Sequence, residues 1–394
     1  MPENTCFSSS FEIRQEIVPQ NLSAVPGFWP CALDIGYSAV KGFSPDRRFI
    51  FPSFARRLPG ALLTTDESDI LVFDKKESET WIVGRNALNG VSSDDTDFAG
   101  DEWYDRNRYM TREYRIIVMA ALGIASMGSP SGAYVIQSGL PPAYIKQDAN
   151  VLRKAFLGPM DFVLKIGSGP QKEFHFDFHE EDVLPPIPQP VGTLYSVIMG
   201  KDGTRIPGWV SYFSDNSIIF DGGFKTLDIY TIRGRQKAAS ISYSEYGMLE
   251  VLTRTSQRIY EEYGEDIPVS HLLPLLRKGT VIISDEDEDE PSAEVVSFGS
   301  DLELSSNEVC DEAIRKFRAA CKPLRDYRHL VVTGGTGAAW FPRIKEKFAH
   351  MQSLSVVQGN VNDGLDPVYS NVRGYYYFAA DTLRRRLTGQ KEGN

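Results

Sequence analysis

Short apolar runs bounded by turn residues alternate along this chain with longer stretches of helical spacing. Cys31 to Phe43 is two apolar runs joined through Gly36, the pattern of a strand, a tight turn and a strand. Arg48 to Phe54 predicts a further strand, and Ile70 to Phe73 pairs with Trp81 to Gly84 across Asp74-Lys75-Lys76-Glu77-Ser78. Thr111 to Met127 predicts a helix with Tyr114, Ile117, Val118, Ala121 and Leu122 on one side. Tyr134 to Leu140 reads as a buried strand, with a helix following through Phe156. Lys172 to His179 alternates strictly, Phe174, Phe176 and Phe178 facing one way and His175, Asp177 and His179 the other. Such a histidine–aspartate row can ligate metal, but a half-buried strand with a solvated face accounts for it.

The proline-rich segment Leu184 to Gln189 precedes a short predicted helix, Val191 to Met199. A second strand–turn–strand unit runs from about Ser217 to Gly234. Tyr246 to Tyr263 predicts a helix whose apolar stripe is Leu249, Leu252, Ile259 and Tyr260. Then come a helix from Asn307 to Leu324, a strand from His329 to Thr333, a helix from Ala338 to Ala349, a strand from Ser353 to Val357 and a helix from Asn371 to Leu387. The last ends in Arg384-Arg385-Arg386, where a helix dipole favours cations. Three segments lack periodicity: a polar leader over residues 1–30, expected to be flexible, an acidic loop over 90–108, and the all-acidic run 285–290, expected as a solvated insertion.

At 394 residues the chain has room for two domains, and 42% hydrophobic with 24% charged residues is the composition of a soluble globular protein. A net charge of −11 argues against a broad nucleic-acid-binding face, which needs clustered Lys and Arg, but leaves room for a local nucleotide site. The four cysteines form no CxxC pair, so neither a zinc site nor a disulfide framework is expected and a cytoplasmic location is. No apolar stretch approaches the roughly 20 residues of a membrane helix.

The two strand–turn–strand units carry the chemistry. Each is an apolar run ending in Asp, then a glycine turn, then Ser or Lys and Thr: Asp34, Gly36, Tyr37, Ser38 and Lys41 in one, Asp221, Gly222, Gly223, Lys225 and Thr226 in the other. Glycine lets backbone amides approach phosphate oxygens without a Cβ in the way. Ser38 adds a hydroxyl donor and Lys41 a point charge. Asp34 and Asp221 would repel phosphate directly, and make sense if Mg²⁺ is held through its waters. Asp228 is expected to brace the second turn. A third element, Leu330 to Trp340, runs from an apolar strand through Gly334, Gly335, Thr336 and Gly337 into a helix, a shape that sets amides and a helix N-terminus against a ligand.

In this order the elements resemble the actin-like ATPase superfamily, most closely the ParM-type plasmid-segregation proteins. The resemblance spans residues 31–385. It implies an α/β actin-like fold, two ribonuclease-H-like domains around a nucleotide cleft. Domain I would cover 31–190, completed by 367–390, and domain II 191–366 with the acidic insertion. The acidic turns correspond to the two phosphate motifs and Val331 to Gly337 to the adenosine motif. The family's water-orienting residue falls at Gln189, beside Asp34 and Asp221 as catalytic carboxylates, and a hinge falls at Gly374. Phe224 departs from the pattern, standing where glycine is common. The implied function is an ATP hydrolase that takes ATP and Mg²⁺ and polymerises with itself. It would segregate plasmid or other mobile DNA through a DNA-binding adaptor protein, without touching nucleic acid or membrane. The alternative is a non-polymerising small-molecule kinase of the same superfamily.

Overall fold

The computed structural model describes residues 14–22, 25–60, 62, 64–88, 106–129, 133–285 and 292–391. Half of the expected leader (residues 1–13, 23 and 24), the acidic loop up to residue 105 and residues 286–290 of the acidic run lie outside the described residues. In the described half, Glu16–Pro19 is a strand paired into a sheet where the sequence predicted a flexible segment. Two compact bodies are present: Arg14–Tyr212 with the chain from Gly359 onward, and Phe213–Gln358.

The first body runs β1 (Glu16–Pro19), β2 (Trp29–Ile35), β3 (Ala39–Phe43), β4 (Arg47–Pro52), β5 (Ala55–Leu58), β6 (Ile70–Asp74), β7 (Glu79–Val83), α1 (Arg112–Ser126), β8 (Tyr134–Leu140), α2 (Ile145–Phe156), β9 (Gly158–Ile166), β10 (Lys172–Phe178), β11 (Ile187–Pro188) and α3 (Gln189–Val197). One sheet has the order β1-β4-β3-β2-β8-β11 and another β10-β9-β6-β7-β5. Strand β2 is an unbroken apolar run up to Asp34, as an interior strand covered on both faces requires. Helix α1, capped by Thr111, joins strands of both sheets in one core with Leu33, Phe51, Val72 and Phe162. It is therefore buried all round, Ile116, Met119, Ala120 and Ile124 included, where the sequence predicted a single apolar side.

The second body runs β12 (Ser217–Gly222), β13 (Leu227–Arg233), β14 (Gln236–Tyr243), α4 (Met248–Tyr263), β15 (Thr280–Asp285), β16 (Ser292–Ser297), α5 (Gly299–Ala320), β17 (His329–Thr333), α6 (Gly335–Phe348) and β18 (Ser355–Gln358), after which α7 (Ser370–Lys391) returns to the first body. Its sheet has the order β14-β13-β12-β17-β18. β12, β13 and β14 are antiparallel, β17 runs parallel to β12, and β18 parallel to β17. Strands β4, β3, β2, β8 and β11 repeat that order and those directions. The similarity of the two acidic hairpins thus extends to a duplicated five-stranded sheet.

Several elements differ from the sequence reading. β9 was not predicted, although Met160, Phe162 and Leu164 alternate inward along it. β14 and the β15–β16 hairpin were also missed; the hairpin strands pair from Thr280↔Ser297 to Asp285↔Ser292, so the first residue of the acidic run belongs to β15. Helix α5 begins at Gly299, not Asn307. In α4 the buried face is Met248, Val251, Leu252, Thr255 and Ile259, and Tyr260 is 56% exposed, one residue off the stripe. On β10, Phe176 and Phe178 are buried while His175 is exposed and 3.2 Å from Asp161. Among the described residues no group of three or more His, Cys, Asp or Glu is placed to hold a metal ion.

Helices α3 and α7 cross at two glycines. A Cβ on Gly374 would lie 1.7 Å from the Gly192 carbonyl oxygen, so the close backbone approach requires glycine here. Beside the crossing, buried Arg373 is 2.9 Å from Asp363 and donates to the carbonyls of Ser196, Met199 and Gly200.

Candidate functional site

In the first body, Asp34 is carried to the end of β2 and Lys41 faces it from β3, the two being register partners. Gly36 N–H donates to the Ala39 carbonyl at 3.0 Å and closes the turn. Asp34 is 4% exposed; Lys41 Nζ lies 3.3 Å from its Oδ2, and Gln189 Nε2 donates to its Oδ1 at 3.3 Å. The structure therefore brings Gln189 to Asp34 and Lys41, two neighbours of one hairpin, across 155 residues of chain. Gln189 is the first residue of α3 rather than a loop residue, and Pro190 follows it at a position where a helix tolerates proline. Ser38 is half-buried in the same turn. Tyr37 turns its ring inward beneath Arg108, a residue the sequence reading did not single out. Burial pushes the Tyr37 hydroxyl pKa well up, against the nearby Arg108 charge, so it stays a neutral phenol.

In the second body, Asp221 is the penultimate residue of β12 and is 3% exposed. Gly223 N–H closes the turn on the Thr226 carbonyl at 2.8 Å. The Thr226 hydroxyl donates to Asp228 at 3.2 Å, linking the turn to the start of β13. The glycine-rich turn after β17 packs on the acidic turn. A Cβ on Gly222 would lie 2.6 Å from Gly337 N, and one on Gly334 would lie 2.2 Å from the Gly222 oxygen. Thr336 Oγ1 donates to the Gly223 carbonyl at 2.8 Å. No side chain caps the N-terminus of α6, and a Cβ on Gly335 would meet no atom within 4 Å. A helix N-terminus beside open space, with glycine on both turns, suits an anion. The start of α4 supports the turn from the other side: Leu249 N–H donates to the Phe224 carbonyl at 2.8 Å. That helix start had not been read as part of the site; Gly247, whose Cβ would lie 2.4 Å from the Phe224 oxygen, was the available signal. Lys225 lies in the same turn, between Phe224 and Thr226.

Residues 32–192 match the family model described as the actin-like proteins N-terminal domain. Solved structures match over nearly the whole chain. The chain has the actin-like fold. A non-polymerisable quadruple mutant of pCBH ParM matches with a TM-score of 0.69 and 18% identity, over 90% of this chain and 100% of its own. A 15-stranded ParM filament from Clostridium botulinum matches with a TM-score of 0.68 and 16% identity, over 92% of this chain and 100% of its own. Ta0583, an archaeal actin homolog in complex with ADP, matches with a TM-score of 0.57 and 17% identity, over 90% of this chain and 99% of its own. A search of the curated proteins gave no match. Within the actin-like fold, each acidic turn follows the first strand of a duplicated sheet.

Proposed function

We propose that this protein binds and hydrolyses ATP and polymerises into filaments that segregate plasmid or other mobile DNA in the cytoplasm. The observation that carries the reading is the duplication: Asp34 and Asp221 occupy the same place in two sheets of the same strand order. In this reading Gly36, Ser38, Lys41 and the Tyr37 backbone meet phosphate in one body, and Gly222, Gly223 and Lys225 in the other, with Thr226 as a brace. Gly334, Gly335, Thr336 and Gly337 form the nucleoside side of the site. Asp34 and Asp221 supply hard carboxylate oxygens, which suit Mg²⁺ held through its waters. When bound, the ion neutralises charge on the phosphates. Lys41 and the turn amides stabilise charge on the transferred phosphoryl group. Gln189 orients the attacking water from its place beside Asp34, since an amide is a poor base.

The ADP complex of Ta0583 supports a nucleotide ligand, and the filament from Clostridium botulinum supports self-association. Contacts that repeat head to tail without closing give filaments. With a net charge of −11, the chain reaches DNA through an adaptor protein. Among the described residues no helix is long and apolar enough to cross a membrane. The test is phosphate release and sedimentation of the purified protein with ATP and Mg²⁺. Turnover with a sedimentable polymer is expected. Phosphate transfer to a small acceptor without polymer at any concentration would make it a kinase instead.

A further inference from the structure

Arg108 lies in the 3₁₀ turn Arg106–Met110, just ahead of α1, and is 7% exposed. Its Nη2 donates to the Ile35 carbonyl at 2.6 Å and its Nη1 to the Gly36 carbonyl at 2.8 Å. Its guanidinium carbon lies 4.0 Å from the centre of the Tyr37 ring, and 5.4 and 5.5 Å from those of Tyr109 and Tyr114. One buried side chain thus grips three successive residues of the first turn. Aromatic faces offset the loss of water around the cation, and the planar fork suits two adjacent carbonyls in a way an ammonium does not.

In a trans peptide the carbonyl and the following N–H point in opposite directions. With the Ile35 and Gly36 carbonyls held toward Arg108, the Gly36 and Tyr37 N–H groups are turned away from it. The Gly36 amide closes the hairpin on Ala39. Lys41 lies over this turn, its Nζ 3.2 Å from the place a Gly36 Cβ would occupy.

We infer that Arg108 is a positioning residue: it touches no substrate, and it holds the Ile35–Gly36–Tyr37 peptides so that the turn presents an amide to a phosphate oxygen. This rests on reading the turn as a phosphate site. Arg115 provides a matched control, because it staples the Ala155 and Leu157 carbonyls at 2.6 and 2.9 Å, at the end of α2. The experiment measures ATP and adenosine affinities, kcat and KM for wild type, Arg108→Gln and Arg115→Gln, with a thermal melt of each. Loss of one preorganised donor costs about a hundredfold, so Arg108→Gln is expected to lower kcat/KM for ATP by about tenfold to a hundredfold while adenosine affinity holds. Arg115→Gln should leave the ATP-to-adenosine ratio unchanged even where its melt falls equally. A wild-type ratio and turnover in Arg108→Gln would overturn the inference. Should that variant not fold, Tyr37→Leu removes the ring platform and is read by the same ratio, which must fall. A wild-type protein that does not prefer ATP over adenosine overturns the phosphate reading itself, a different outcome from an unaffected variant.

Discussion

Asp221 and Asp228 stand directly opposite each other in the β12–β13 ladder, both buried. Directly paired residues of an antiparallel ladder project to the same face. Burial first, and then the charge of Asp221, push Asp228 up to about 8. Thr226, expected from the sequence on the nucleotide side of the turn, donates to one Asp228 oxygen.

This pair gives the protein a pH signature. An acid whose pKa is higher folded than unfolded binds its proton more tightly in the folded state. The stability contributed by Asp228 is therefore full below about pH 4, the ordinary carboxylate range, and is lost as pH rises toward about 8. Asp228→Asn cannot ionise. Urea unfolding across this range should show a flatter pH profile for the variant, which should exceed wild type above the upper end. Parallel profiles would mean that Asp228 titrates alike in the folded and unfolded states.

Two neighbouring glycines should separate stability from ligand binding. Gly334 has φ of +80°, and a Cβ there would lie 2.2 Å from the Gly222 oxygen and 2.5 Å from Asp221 Oδ1. Gly334→Ala should cost at least about 1–3 kcal/mol in backbone strain alone. Gly335 has open space around its Cβ position and begins α6. Gly335→Ala should fold at least as stably, because alanine favours a helix by up to about 1 kcal/mol, yet bind ATP more weakly. Calorimetry read beside nucleotide titration checks both, and equal behaviour of the two variants would contradict the assignment.

The Arg373–Asp363 pair is buried within the first body, with residue exposures of 2% and 6%. Arg373→Met leaves a carboxyl group without its cation and should cost about 3–5 kcal/mol. Burial raises the Asp363 pKa even beside Arg373, so the lone residue should take up a proton. Adding Asp363→Asn should recover part of the loss, measured as a double-mutant cycle in urea. Additive losses would show that the two side chains are not coupled.

Gln189 separates orientation from binding. Gln189→Ala should slow hydrolysis about tenfold or more, in keeping with a water-orienting role, while ATP affinity persists. Single-turnover kinetics beside equilibrium binding distinguish this from a helix-start defect in α3, which would lower both.

The acidic turns and the Gly334–Gly337 turn were legible because each is a local pattern of apolar run, acid and glycine. Gln189 reached Asp34 only through the family pattern, since 155 residues separate them. Arg108 was not legible: it acts 72 residues from Gly36, and follows a stretch without periodicity. A glycine does not announce its reason in sequence: nothing local to Gly374 shows the close helix crossing that it permits. β9 was legible in principle from Met160, Phe162 and Leu164. The duplicated sheet order became visible only once strands far apart in sequence were paired.

Electron microscopy of the purified protein with ATP and Mg²⁺, beside Asp221→Ala under the same conditions, tests the central claim most directly. Filaments from the wild-type protein that are absent or sparse for the variant are predicted. Dispersed particles from the wild-type protein over a wide concentration range would contradict the account.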